Sequence, residues 1–126
     1  MRVLCLNCNR ASKRLSDEIM QKNSDIVLLQ EWISHKKDRS DEAQTILNSL
    51  GCVSATRYLV TASNQDHIIL HSSERFLITQ HDDLVVINTY FPAGKTKDRI
   101  EHMKNLSKII QDLEFNSMLI AGDFNL

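Results

Sequence analysis

Ser117-Met-Leu-Ile-Ala-Gly-Asp-Phe-Asn-Leu126 is the stretch on which the rest of the sequence converges. Met118 to Ala121 is a continuous apolar run of strand length, which predicts a strand covered on both faces. Gly122 then permits a turn or a close approach. Asp123 and Asn125 follow at alternate positions, and in extended backbone their side chains share a side. A carboxylate that only accepts hydrogen bonds, set beside a carboxamide, can orient a water and a phosphoryl oxygen together. A strand followed by an Asp/Asn turn would explain these ten residues equally well, so the remainder of the chain has to decide.

Upstream, Asp98-Arg-Ile-Glu101 has the form of a capping box with Asp98 as the cap. It opens a predicted helix with Ile100, Met103, Leu106, Ile110 and Leu113 on one face. Before it, Leu84-Val-Val-Ile-Asn-Thr-Tyr90 predicts a buried strand stopped by Pro92 and Gly94. Cys52 to Val60, His67 to His71 and Phe76 to Thr79 predict shorter antiparallel strands. Ala43, Ile46, Leu47 and Leu50 recur at helical spacing, with Gly51 placed as a C-terminal cap. Ile26-Val-Leu-Leu-Gln-Glu31 is a second buried-strand run ending on a carboxylate. A helix over 15–22 links it to a first strand at Arg2 to Leu6, so the two strands should be parallel neighbours. The fold class expected is α/β.

The 126 residues suffice for one domain, and 42% hydrophobic with 25% charged is ordinary globular composition. No apolar run approaches the roughly 20 residues of a membrane span, and the N-terminus lacks an apolar stretch of signal-peptide length. The odd cysteine count, three, fits a reducing, intracellular setting, cytoplasmic or nuclear. Cys5 and Cys8 form a C-x-x-C, but in a strand residues three apart face opposite sides and cannot share a metal.

The net charge of −1 does not announce a nucleic-acid binder. Its distribution says more. Arg10 to Arg14, His35 to Arg39 and Lys95 to Arg99 hold nine of the 15 basic residues and two of the 16 acids. Each window begins within a few residues of a strand end bearing a polar residue, namely Asn9, Glu31 and Tyr90. In open α/β sheets, sites gather outside the carboxyl ends of strands. Carboxylates inside a rim of Lys and Arg suggest a divalent cation with a phosphate ligand.

With Leu6-Asn7-Cys8-Asn9, Leu29-Gln30-Glu31, Asn88-Thr-Tyr90-Phe-Pro92 and Gly122-Asp123-Phe-Asn125 in order along its whole length, the chain resembles the endonuclease/exonuclease/phosphatase (deoxyribonuclease-I-like) superfamily. It is closest in pattern to the apurinic/apyrimidinic and retroelement endonucleases. The resemblance implies a two-sheet α/β sandwich and a phosphodiesterase or phosphomonoesterase that uses Mg²⁺, with Mn²⁺ as an alternative. By motif, Glu31 looks like the principal metal ligand, and Asn7 and Asn9 match positions that hold metal or its water. Tyr90 matches the tyrosine on the scissile phosphate, Asp123 the residue that activates water, and Asn125 its neighbour at the phosphoryl oxygens. Arg10, Lys36, Lys37, Lys95 and Lys97 are the expected substrate-binding residues, on a nucleic-acid backbone.

The sequence departs from that pattern in two places. Ala93 stands where such proteins often carry Asn, and none of the five histidines follows Asp123, whereas the superfamily's second half carries further strands and a terminal Asp-His pair. The resemblance therefore implies residues 1–126 as the N-terminal portion of a single domain, inactive alone, completed by a C-terminal half or prone to self-association. A phosphatase for an inositol or sphingolipid phosphate, or a non-catalytic module on the same scaffold, are the alternatives. Among the histidines, His67 and His71 read as structural or surface residues, His35 and His81 as solvated loop residues, and His102 as a residue of a polar helix face. Trp32 reads as core or loop packing.

Overall fold

The computed structural model describes residues 1–8, 17, 19–20, 23–32 and 45–125. The strands are β1 (Val3–Asn7), β2 (Ile26–Gln30), β3 (Cys52–Ala55), β4 (Leu59–Ser63), β5 (Ile68–Ser72), β6 (Phe76–His81), β7 (Leu84–Tyr90) and β8 (Ser117–Asp123), with one long helix, α1 (Thr96–Gln111), between the last two. They form two four-stranded sheets, ordered β1-β2-β4-β3 and β5-β6-β7-β8. Residues 45–50 are helical and end at Gly51, whose φ of 111° suits the capping role expected of it.

Apolar residues on both sides of the central strands explain the layering. Ile26, Leu28 and Val86 pack with Leu84, Leu119 and Ala121 between the sheets. Val27, Leu29, Val60 and Ala62 turn outward onto Ile19, Trp32 and Leu47. On the other outer face, Phe76, Ile78, Val85 and Ile87 lie under Leu106 of α1. Strands buried on both faces read as unbroken apolar runs, as β2 and β7 do. The result is an α/β sandwich.

β1 and β2 are parallel, with Asn7 opposite Gln30, and β7 and β8 are parallel, with Tyr90 opposite Asp123. The remaining pairs are antiparallel. The carboxyl ends of all four parallel-paired strands therefore open on one rim of the sandwich.

Several expectations are corrected. The run 52–60 is two strands, because the chain turns at 56–58 and Thr56 N–H donates to Leu59 O at 2.8 Å. β8 is an edge strand, so its apolar run is only partly covered and Ile120 is exposed. α1 starts at Thr96 with Lys95 as its N-cap and no side-chain cap, not at Asp98. Its buried residues are His102 and Leu106, while Ile100 and Met103 are 52% and 47% exposed. His81 is buried rather than solvated. The 15–22 helix, the windows Arg10–Arg14 and His35–Arg39, and with them Asn9, Arg10, Lys36 and Lys37, fall outside the described residues, apart from helical residues 17, 19 and 20. Among the described residues, no helix is long and apolar enough to cross a membrane.

Candidate active site

The rim at the strand ends brings together Asn7, Glu31, Tyr90 and Asp123. Asn7 Nδ2 donates to Asp123 Oδ2 at 2.6 Å, joining the last residue of β1 to the last residue of β8. The Tyr90 hydroxyl donates to Glu31 Oε1. Glu31 follows β2 in a left-handed conformation, φ 53°, which turns its side chain across the gap between the sheets. Its second oxygen, Oε2, is buried and has no hydrogen-bond partner among the described residues. A buried carboxylate oxygen left in that state is costly unless a cation or water completes it.

Two features fix Asp123. Phe91 N–H donates to its carbonyl at 2.7 Å, and its Oδ1 accepts the Asn125 backbone N–H at 3.0 Å. Asn125 does not continue the strand. It has φ 49°, and its Nδ2 donates to Phe91 O at 2.5 Å. The chain thus turns after Asp123, and the turn is tied to β7's extension at both ends. Gly122 permits this closeness, because a Cβ there would stand 1.9 Å from Thr89 O. An open concavity of about 530 Å³ is lined by Cys5, Asn7, Gln30, Gly122, Asp123, Phe124 and Asn125.

Tyr90 is strongly perturbed. The hydrogen bond to Glu31, burial and the Glu31 charge push its pKa up to about 12, so it stays a phenol at neutral pH. The Arg75 guanidinium lies 4.9 Å from the Tyr90 ring centre and donates to Tyr90 O at 3.2 Å. Tyr58 meets the same ring edge-on, 6.4 Å between centroids.

Beneath the rim, Gln30 Nε2 donates to Asn88 Oδ1 at 2.9 Å across the two sheets, and Asn88 Nδ2 donates to Val60 O at 2.9 Å and Leu29 O at 3.3 Å. These amides lock β2 to β7 one and two residues before Glu31 and Tyr90. Cys5 faces the concavity and Cys8 packs into the outer core, on opposite sides as their spacing predicts. Trp32 is buried in that core, and its backbone N–H donates to Tyr58 O at 2.9 Å. Lys97 lines a different groove on α1 with Ile100, Glu101 and Lys104, and Lys95 is exposed at the helix N-cap.

Sequence reasoning passed over Arg75, Gln30 and Asn88 as site residues. A lone Arg in a Ser/Glu turn carries no pattern. Gln30 and Asn88 did carry one, since each is an amide inside an otherwise apolar strand, and two buried amides need partners.

No protein-family model and no curated protein sequence matches the chain. Solved structures do. An AP endonuclease from Archaeoglobus fulgidus superposes with TM-score 0.67 at 17% identity, over 100% of this chain and 58% of that one. The 3′ phosphatase NExo from Neisseria, bound to a product DNA hairpin, gives TM-score 0.68 at 20% identity, with coverages of 100% and 58%. TDP2 from D. rerio, with a single-strand DNA product, gives 0.66 at 13% identity, with coverages of 100% and 61%. The chain spans about three-fifths of the length of these structures. Over that span the likeness shows the fold, the deoxyribonuclease-I-like endonuclease/exonuclease/phosphatase fold.

Proposed function

We propose that the chain is the N-terminal portion of a single metal-dependent phosphodiesterase domain acting on a nucleic-acid backbone, of the endonuclease type. The observation that carries this reading is the pairing of Glu31 with Tyr90, which leaves one buried carboxylate oxygen without a partner among the described residues, on the same rim as the Asn7–Asp123 bond. That orphan fits a hard divalent cation, Mg²⁺ or Mn²⁺, which needs only one or two carboxylates and keeps several waters. Among the described residues there is no cluster of three or more His, Cys, Asp or Glu that could hold a metal ion, so the proposed ion would rest on one carboxylate, carboxamides and water. Glu31 would be its main ligand, assisted by Asn7 and Asn9, and the bound ion would supply charge stabilisation at the phosphoryl oxygens.

The chain's own residues supply the rest. Asp123, gripped at both carboxylate oxygens by N–H donors, presents a fixed acceptor for a water's proton. The Asn125 carboxamide, whose nitrogen has a second N–H besides the one given to Phe91 O, is the proposed donor to charge that grows on phosphoryl oxygen, and the Tyr90 phenol would join it only by turning from its bond to Glu31. Arg10, Lys36, Lys37, Lys95 and Lys97 are proposed backbone contacts, and an intracellular, cytoplasmic or nuclear setting goes with this reading.

Its 126 residues are proposed to be inactive alone, because the superfamily's imidazole and its carboxylate partner follow the last motif present here. Among the described residues β1 and β8 are both edge strands and they face one another across the sandwich, so two strand edges share one flank. A C-terminal half would pair there, and without it self-association is the expected outcome.

The test is duplex binding and cleavage. Affinity for a short DNA duplex should fall with salt, and Lys95→Glu with Lys97→Glu should flatten that slope. Cleavage should appear only with a C-terminal half supplied and Mg²⁺ present, and should vanish in Asp123→Ala. Salt-independent binding with hydrolysis of an inositol or sphingolipid phosphate would replace this reading with a small-molecule phosphatase. A completed domain that binds but cuts nothing would replace it with a binding module.

A further inference from the structure

His102 stands apart from the other α1 residues. It is buried on a helix whose only other buried residue is Leu106, at a position where an apolar side chain would avoid the cost of desolvating an imidazole. Its ring stacks on Phe76, with centroids 4.2 Å apart and planes 15° apart, and meets Phe91 edge-on at 4.4 Å. Its Nε2 lies 3.1 Å from Thr89 Oγ1. That hydroxyl's one hydrogen goes to Arg75 O at 3.1 Å, so the ring nitrogen is the donor and His102 is the Nε2–H tautomer. Burial, with a smaller push from the Arg75 charge, lowers its pKa to about 4, which keeps the ring neutral at physiological pH.

Of the residues that His102 touches on β7 and its extension, Phe91 touches the Asp123–Asn125 turn and Thr89 lies against Gly122, the residue just before it. Phe91 donates its N–H to Asp123 O and accepts the Asn125 side chain on its carbonyl, and its ring lies 5.1 Å from that of Phe124. The Phe91 ring is therefore wedged between His102 and Phe124, while its backbone holds the turn at two points. Thr89, the hydrogen-bond partner, carries the carbonyl against which Gly122 is pressed.

We propose that His102 is a positioning residue for the Asp123–Asn125 turn, acting through the ring of Phe91 and the hydroxyl of Thr89. It touches no substrate. Its catalytic meaning rests on the nuclease reading of Asp123 and Asn125, but its mechanical meaning does not. A single rotamer of a polar, planar side chain fixes Phe91 in angle as well as depth, which an aliphatic side chain of like volume would leave free to rock.

The experiment measures hydrogen exchange by NMR in the full 126-residue chain, without substrate or metal. In His102→Leu, exchange at the Phe91 backbone amide and the Asn125 side-chain amide should quicken about tenfold or more, while Ile78 and Val86 in the sheet keep their protection. His102→Gln, whose carboxamide can reach the Thr89 hydroxyl, should restore most of the protection. Thr89→Val should repeat the loss, and it decides the matter should the leucine variant not fold. Unchanged exchange at Phe91 and Asn125 in the leucine or valine variants would overturn the proposal. So would a loss shared equally by Ile78 and Val86, since His102 would then serve the fold at large. Because no substrate enters, a failed nuclease reading leaves this result standing, and a failed positioning role leaves the nuclease reading untouched.

Discussion

Tyr90 and Glu31 lie at the ends of two different sheets, yet the phenol of one donates to the carboxylate of the other. Each residue thereby changes what the other can do. The bond keeps the phenol protonated and uses one of the two carboxylate oxygens, which leaves a single buried oxygen for a cation.

Removing the charge should therefore be read in two places at once. Glu31→Gln should weaken Mg²⁺ or Mn²⁺ binding about tenfold or more, in line with the loss of the proposed carboxylate ligand. It should also let the Tyr90 pKa fall from about 12 toward the ordinary phenol value of 10.0, since its largest cause is the bond to Glu31. Calorimetric titration checks the first and ultraviolet titration of the phenol the second. Equal metal affinity in the two proteins would remove Glu31 from the ligand role.

Gly122 tolerates no side chain. A Cβ placed 1.9 Å from Thr89 O and 2.9 Å from Thr89 N meets backbone, which cannot swing aside as a side chain could. Gly122→Ala should cost about 3 kcal/mol and should loosen the β7–β8 ladder beside Asp123. Urea unfolding gives the cost, and a loss below about 0.5 kcal/mol would show that β8 shifts freely.

The amide pair between the sheets should behave as one unit. Asn88→Leu keeps the volume but leaves the Gln30 amide only its longer bonds to Leu28 O and Cys5 Sγ and takes a donor from the Val60 and Leu29 carbonyls, for a cost of about 2–4 kcal/mol. Gln30→Leu added to it should cost less than the sum of the two separate changes, because the first change has already taken the second group's shortest bond. Additive losses would mean that the amides act independently.

Acid should weaken the fold in a defined window. The pKa values of His81 and His102 are lowered from 6.5 to about 4, in each case chiefly by burial, and that of His67 is lowered for the same reason. Below 6.5 the unfolded chain binds protons that the folded chain refuses. The stability due to neutral imidazole is therefore complete above that pH and is lost as pH falls toward 4. His67 and His81 lie ring to ring at 4.7 Å, so protonating both would add repulsion. The Asp25 carboxylate, held low first by the Arg2 N–H and then by the Asn64 side chain, is lost only below its usual 3.8, outside this window. Thermal melts at stepped pH check this. A midpoint flat from pH 7 to 4.5 in the wild type, or a fall unchanged in His81→Gln with His102→Gln, would count against it.

The strong strands and the four rim residues were legible because their signal is local. A run such as Ile26–Gln30 buries every side chain, and its end residue must land at the sheet's edge. The middle of the chain was less legible, since the three-residue turn inside 52–60, Thr56 to Tyr58, carries no Gly, Pro, Asn or Asp to announce it. α1 misled for a tertiary reason. Its apolar residues spread over a wide arc, and the sheet took the side bearing His102 and Leu106, because Phe76, Phe91 and Thr89 offered that imidazole two rings and a hydroxyl. Periodicity cannot see a partner that lies 13 residues away in sequence and on another element.

The bond from Asn7 to Asp123 spans 116 positions of the sequence. The hairpins between β5, β6 and β7 close over short loops and are available early in folding, whereas both parallel pairs must wait for long crossovers. The Asn7–Asp123 contact needs both parallel pairs in place and so belongs to the end of the folding reaction. Asp123→Asn should accordingly speed unfolding while leaving the folding rate nearly unchanged. A chain emerging from the ribosome cannot make this contact until Asp123 has been synthesised and has left the exit tunnel, so the rim proposed to meet a phosphate cannot assemble from the earlier strands alone.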